Sequence, residues 1–119
     1  MRTFLAYNRT RGVPLAPKVQ LAETPWARMI GLLGRKDFSQ ETGLWIRPSQ
    51  GVHTIGMKFP IDVAYLDRDG RVLRVYHRLA PFRIAALSMR ARSVLELPAG
   101  TLSRTQTTVD DILEFQSVE

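Results

Sequence analysis

Most of the chemically versatile side chains lie in one short segment in the middle of the chain. Five of the six fall within ten positions, and the sixth belongs to a later apolar run: His53, Thr54, Met57, Lys58, Asp62 and Glu96. A histidine beside a carboxylate is used in general acid and base catalysis, because imidazole titrates near neutral pH and the acid orients it. The same side chains would also suit a pocket for a small polar ligand.

Structural roles for these residues are nevertheless the stronger interpretation. Asp62 follows Pro60 at the entrance of a predicted strand, where a carboxylate commonly accepts backbone N–H bonds. Glu96 lies between two leucines and is expected to pair with Lys58 or with an arginine. Ligand binding ranks second and catalysis third, so whether the protein is an enzyme stays open.

Other kinds of catalytic and metal sites have little support in the sequence. The histidines and acids at positions 53, 62, 77 and 96 lack a recognised metal-ligand spacing, and the chain contains no cysteine. It has no Gly-rich phosphate loop, nucleophile elbow or paired-histidine helix. We therefore expect no metal and no cofactor, and neither a serine-based nor a nucleotide-dependent enzyme.

A basic stretch forms a second candidate surface. The formal net charge is +6, and residues 71–92 contain six arginines without an acid. Because residues two apart share a face of a strand, Arg74, Tyr76 and Arg78 are predicted to lie side by side, with Arg71 nearby. Base stacking on Tyr76 would suit nucleic-acid binding. A solvated outer face is more ordinary, and no known nucleic-acid-binding signature is present.

The elements that must position these residues are short strands, recognised by β-branched and aromatic runs between turn sequences. Strands are predicted at residues 3–7, about 19–22, 43–46, the second half of 52–66, 72–79, 93–97 and 112–115. The turn at 67–70 should join two of them in a hairpin. The stretch through Gly12, Pro14 and Pro17 is predicted to be a loop, and residues 80–89 an irregular connection.

One short helix is predicted near residues 25–33. Thr24 can cap its first turn, Pro25 suits the first helical position, and Gly34 can end it. About seven strands with one helix predict a mostly β protein, built as a small β-sandwich or barrel.

Length and composition indicate one globular domain over residues 1–119. Hydrophobic residues make up 45% of the chain and charged residues 24%, which is close to the globular average. Polar residues interrupt the N-terminal apolar run before it could form a signal-peptide core. No uncharged apolar stretch approaches the ~20 residues that span a bilayer. We expect a cytoplasmic protein with no membrane contact.

Four blocks of sequence carry a family resemblance. They are residues 28–35, Gly43-Leu44, His53-Thr54 with 57–62, and 94–100. In this order they resemble the prokaryotic family catalogued as domain of unknown function number 192, over nearly the whole chain. The resemblance implies a compact β-sandwich of jelly-roll type and no established activity. Many members have a Gly-Asp pair where this chain has Asp110-Asp111, so a different turn is expected there.

The leading functional interpretation is a non-enzymatic ligand-binding or protein-interaction module, with its polar site at residues 53–62 and Glu96. Its partner would be a small polar ligand or another protein, of unknown identity. One alternative is a small hydrolase-like enzyme, with His53 as the base oriented by Asp62 or Glu96. The other alternative is arginine-dependent nucleic-acid binding.

Overall fold

The structure is a computed structural model that describes residues 2–24 and 38–118. The helix predicted at 25–33 lies outside the described residues. The described elements are seven strands and one helix: β1 (Thr3–Asn8), β2 (Val13–Ala22), β3 (Thr42–Ile46), β4 (Ile61–Leu66), β5 (Val72–Leu79), β6 (Ser93–Pro98), α1 (Thr101–Arg104) and β7 (Leu113–Ser117).

The strands form one curled sheet in the order β5-β4-β6-β3-β2-β1-β7. Neighbouring strands are antiparallel except for β2 and β3, which are parallel. The two edge strands approach each other just before their first residues, where Arg71 and Ile112 form an isolated bridge. The sheet therefore closes at one point into a half-barrel. The mostly β prediction is confirmed, whereas the jelly-roll type stays a prediction.

Both faces of the central strands β4 and β6 are covered. Along β4, Ala64 and Leu66 belong to one hydrophobic cluster, while Val63 and Tyr65 belong to another on the opposite face. A strand buried on both faces has an almost continuous apolar sequence. Asp62 interrupts that sequence, and its charge therefore needs partners within the protein.

The N-terminal loop prediction was right for the turn at Gly12 but wrong for the residues that follow it. Residues 13–18 belong to β2, although they include Pro14 and Pro17. Of the residues of β2, only Lys18–Ala22 pair with β3 in the described sheet. The proline-containing half of β2 therefore has β1 on one side and no described strand on the other. Proline lacks a backbone N–H and is tolerated where a strand has a free side.

The other predicted strands are confirmed within one or two residues, and the β4–β5 hairpin is confirmed in full. In its turn, the Asp67 Oδ1 accepts the N–H of Asp69 at 2.8 Å and of Arg71 at 3.0 Å. Residues 80–89, predicted to be an irregular connection, form no strand, and neither do residues 90–92. The four-residue helix α1 was not predicted, because it is too short to show a helical period.

Candidate binding site

Asp62 is a buried charge that organises three backbone segments. It lies on β4 with no exposed surface. Its Oδ1 accepts the N–H of Arg78 at 2.9 Å, and its Oδ2 accepts those of Gly100 at 3.1 Å and Leu102 at 2.8 Å. The carboxylate therefore ties β4 to the end of β5 and to the start of α1, and both of its oxygens already have partners.

Asp62 and Glu96 lie on opposite faces of the sheet. In the β4–β6 ladder Asp62 stands opposite Leu97, whereas Glu96 stands opposite Val63. Directly paired residues share a face, and successive residues of a strand alternate between faces. The sequence-based interpretation put these two buried carboxylates in one polar site. The structure does not bring them together.

His53 is exposed, and it has no carboxylate partner among the described residues. Its backbone forms an isolated bridge with Ile84, which places it beside the loop formed by residues 80–92. Lys58 is also exposed, whereas Met57 is buried in the hydrophobic core. Within residues 2–24 and 38–118, the geometry thus forms no histidine–carboxylate pair for acid and base catalysis.

Thr54 fixes the start of the 80–92 loop. Its buried hydroxyl donates to the carbonyl of Ala80 at 2.6 Å and accepts the N–H of Arg83 at 2.8 Å. Its backbone N–H donates to the carbonyl of Arg83 at 2.8 Å, and its carbonyl accepts the N–H of Phe82 at 2.9 Å. One threonine therefore holds both ends of the segment from 80 to 83.

Two tyrosines hold the middle of the same loop at Ala86. The hydroxyl of Tyr65 donates to the Ala86 carbonyl at 2.6 Å, and the Ala86 N–H donates to the hydroxyl of Tyr76 at 3.0 Å. Burial raises the pKa of Tyr65 to about 12. Burial also raises the pKa of Tyr76, but hydrogen bonds from Ala86 and Arg74 outweigh it and leave that pKa below its ordinary value. Near neutral pH the Tyr65 hydroxyl therefore keeps its proton and its bond to the loop.

The 80–92 loop turns two of its alanines inward and its large apolar side chains outward. Ala85 and Ala91 are buried in the core. Four large apolar side chains, which we call the apolar loop face, are exposed to these extents: Phe82 66%, Ile84 78%, Leu87 80% and Met89 81%. Large apolar side chains normally fill the core, and clusters of them on a surface mark interaction sites. The inverted arrangement makes this loop the strongest candidate for a binding surface.

The predicted nucleic-acid surface does not form as a unit. The guanidinium of Arg74 lies 5.7 Å from the ring centroid of Tyr76 and donates to its hydroxyl at 3.1 Å. The Tyr76 ring also packs against the core, with its centroid 5.9 Å from that of Tyr65. Arg71 contacts the carbonyl of Asp110 at 3.3 Å. The ring and two of the arginines are thus already engaged within the protein.

Arg78 lies apart from Arg74 and Tyr76. β5 bulges at this point, since Asp62 faces two residues of β5, and Arg78 has a φ of 52°. Its guanidinium lies 3.2 Å from the position that a Cβ on Gly100 would occupy. The prediction of a face shared by Arg74, Tyr76 and Arg78 was wrong, because the bulge interrupts the two-residue period.

A second buried polar cluster, which was not predicted from the sequence, surrounds Asp111. The amide of Asn8 donates to the Asp111 Oδ2 at 3.0 Å and to the hydroxyl of Thr107 at 3.0 Å. The same carboxylate oxygen accepts the Arg11 Nε–H and the Thr108 N–H, both at 3.1 Å. Burial raises the pKa of Asp111, but the bonds from Asn8 and Arg11 outweigh it and hold the pKa below its ordinary value.

A weak sequence signal for this cluster was present in β1. Asn8 continues the buried positions of Phe4 and Ala6, where an apolar residue is the norm. The neighbouring Asp110 has a φ of 77°, a conformation that glycine adopts without strain. A glycine at this position, as in the Gly-Asp pair of the resembled family, could adopt the same backbone conformation. The chain therefore differs from that pair in residue type, and the conformation at Asp110 is one that glycine could share.

Neither a metal cluster nor a membrane-spanning helix is found in the described part of the chain. No three of its histidines and acids are grouped so that they could hold a metal ion. None of its helices has the length and apolar character that crossing a bilayer requires.

Comparison with known proteins gives a family and two similar structures. The profile of the family DUF192, described as an "Uncharacterized ACR", matches residues 6–115. A crystal structure of a protein of unknown function from Novosphingobium aromaticivorans has a TM-score of 0.82 at 20% identity, covering 93% of this chain and 83% of that one. A protein from Sinorhizobium meliloti, described as a "putative transcription regulator", has a TM-score of 0.79 at 24% identity, covering 96% and 92%.

At these identities the two structures support the fold alone. The comparison with curated proteins found no match. The function is therefore inferred from the chain's own geometry.

Proposed function

The chain belongs to the DUF192 family, and we propose that it is a non-enzymatic interaction module whose binding face is built from residues 50–58 and 80–92. The observation that carries the proposal is the apolar loop face, whose four side chains are between 66% and 81% exposed. These side chains stand on a backbone hydrogen-bonded to Thr54, Tyr65 and Tyr76.

The backbone of the 80–92 loop is preorganised for binding, because hydrogen bonds fix it in the free protein. Association normally costs free energy for ordering flexible segments, and a preorganised backbone avoids much of that cost. Further hydrogen bonds join Ala85 to Val52 at 3.0 Å and Ser88 to Gln50 at 2.9 Å, so the 50–58 segment supports the loop along its length. Burying the apolar loop face against a partner would then supply the driving force.

The residues of the predicted polar site take two roles in this proposal. Thr54 and Met57 are buried beneath the binding face, where Met57 belongs to the same hydrophobic cluster as Ala85. Asp62 is buried too, but it bonds backbone N–H groups outside this face and is assigned no contact with the partner. His53 and Lys58 are exposed beside it and are available to a partner. Glu96 is buried on the sheet face that carries Val63 and is assigned no contact with the partner.

Three further expectations from the sequence are also part of this proposal. They are a single domain over residues 1–119, a cytoplasmic location and a β-sandwich or barrel of jelly-roll type. No second function is proposed, because His53 lacks a carboxylate partner among the described residues, and Arg74 and Tyr76 are bonded to each other.

Site-specific photo-cross-linking in the native cells tests the proposal. A photoreactive amino acid replaces Leu87 in the apolar loop face or, as the control, Gln116, an exposed position on β7. We expect adducts from position 87 that position 116 does not give, and their loss when Ile84→Asp is added. Identical adducts from both positions, or adducts at 87 only between two copies of this chain, would contradict the proposal.

A further inference from the structure

We infer that the apolar loop face docks on the surface of an anionic lipid bilayer. Its four side chains would enter the boundary between headgroups and acyl chains, and the arginines of the loop would contact lipid phosphates. This inference rests on the proposed function and names the partner of that binding face.

The shape of the face favours insertion. Exposed fractions near 80% for Ile84, Leu87 and Met89 mean that these side chains protrude, because a side chain lying in a groove is covered on its flanks. Protruding apolar side chains on a fixed backbone can enter a lipid interface without any rearrangement of the protein.

The small extent of the apolar loop face also favours lipid over a protein partner. Protein interfaces draw most of their affinity from Trp, Tyr and Arg, with Leu under-represented, and typically bury about 800 Å² on each partner. The apolar loop face has no Trp or Tyr and occupies a single short loop. A few inserted aliphatic side chains combined with basic residues are enough for reversible membrane binding.

The charge around the face matches an anionic surface. Arg83, Arg90 and Arg92 belong to the same loop, and none forms an ion pair with a carboxylate among the described residues. Asp67 and Asp69 line a cleft together with Arg90 and Arg92, and Arg83 does not line that cleft. Arginine binds phosphate with two parallel N–H bonds and can keep its charge in the headgroup layer while its stem lies against apolar groups.

No membrane contact was expected from the sequence, because it contains no segment that could span a bilayer. A peripheral contact through the side chains of one loop needs no such segment, so the inference is compatible with the absence of a spanning segment. Each basic residue near an anionic leaflet adds attraction that falls with ionic strength.

Vesicle sedimentation with the full chain tests the inference. Vesicles of equal parts phosphatidylglycerol and phosphatidylcholine are compared with vesicles of phosphatidylcholine alone. We expect wild-type protein to bind the anionic vesicles, and the binding to weaken with added salt. Leu87→Asp should lower the affinity at least about tenfold, because a charge enters the interface poorly. Val118→Asp is the matched control, since Val118 is also exposed, at 52%, but lies outside the face.

The arginine contribution is tested in the same assay. Arg83→Ala should reduce binding to anionic vesicles several-fold, whereas Arg104→Ala, an exposed arginine on α1, should leave it unchanged. Urea unfolding checks that each variant keeps the wild-type stability.

Two outcomes would overturn the inference: no binding of wild type to anionic vesicles, or equal losses in Leu87→Asp and Val118→Asp. Cross-linking at position 87 then distinguishes failure of the lipid inference from failure of the proposed interaction module. Adducts with a different protein, without vesicle binding, would overturn the lipid inference and leave the interaction module in place. Neither adducts nor vesicle binding would overturn both.

Discussion

The backbone N–H of Arg78 donates to the Oδ1 of Asp62 at 2.9 Å, at the point where β5 carries one extra residue. The φ of Arg78 is 52°, a region in which a residue with a side chain is strained. A bulge of this kind persists when its surroundings fix it, and a charged acceptor makes a stronger bond than a neutral one. Asp62 thus stabilises a local backbone conformation that the sequence of β5 alone would not favour.

Asp62→Asn is expected to destabilise the fold by roughly 2–4 kcal/mol. Both carboxylate oxygens accept backbone N–H groups, so the amide NH₂ of asparagine must face at least one donor. Urea unfolding of wild type and variant measures the difference. Asp69→Asn, an exposed carboxylate in the adjacent turn, is the control and should change stability by less than about 0.5 kcal/mol. A stable, folded Asp62→Asn protein would show that the carboxylate is dispensable for the bulge.

Strand content was predictable because apolar alternation and turn residues act locally. The Asp67–Gly70 turn and the β-branched runs beside it were enough to place the β4–β5 hairpin. The β2 strand through Pro14 and Pro17 was not predictable, since its acceptance of proline depends on which side of the strand has a neighbour. That is a property of the assembled sheet.

The candidate site was predictable in part. A structural role for Asp62 followed from its position at a strand entrance, and the hydrogen bonds agree with that role. The separation of Asp62 from Glu96 depends on the β4–β6 register, where a slip of one residue would reverse the faces. The apolar loop face was missed, because periodicity in residues 80–92 does not reveal that Ala85 rather than Leu87 turns inward.

Thr54→Val is expected to loosen the start of the 80–92 loop. Valine keeps the shape but removes a buried hydroxyl that bonds the Ala80 carbonyl and the Arg83 N–H. Hydrogen exchange should quicken at residues 80–83, with a loss of stability of roughly 1–2 kcal/mol. Thr108→Val, at an exposed threonine, is the matched control. Unchanged exchange at residues 80–83 would mean that the backbone bonds of Thr54 suffice to hold the loop.

Asp110→Gly is expected to raise stability by about 0.5–1 kcal/mol. The φ of Asp110 is 77°, and glycine removes the strain of a side chain in that conformation. The ion pair with Arg71 that is lost spans 4.0 Å at the surface and contributes little. The thermal unfolding midpoint should increase, whereas Asp69→Gly, which has no positive φ to relieve, should lower it. A lower midpoint for Asp110→Gly would indicate that the aspartate side chain itself stabilises the turn.

Asp111 is expected to make the fold sensitive to acid. Its folded-state pKa is below the ordinary value of 3.8, because the bonds from Asn8 and Arg11 outweigh the effect of burial. A depressed pKa adds stability that is fully present above the unfolded-state value and is lost as pH falls through the folded-state value. The stability advantage of wild type over Asp111→Asn should therefore be constant from pH 7 to about pH 5 and shrink below about pH 4.

Urea midpoints at several pH values measure this dependence. At pH 7 the Asp111→Asn loss should be roughly 1–2 kcal/mol, smaller than for Asp62→Asn, because the donors converge on Oδ2 and the amide oxygen can still accept from them. Asp110→Asn removes the same charge at an exposed neighbour and so controls for the change in net charge. A difference between wild type and Asp111→Asn that stays constant down to pH 2.5 would contradict the depressed pKa and the ionic role of the cluster.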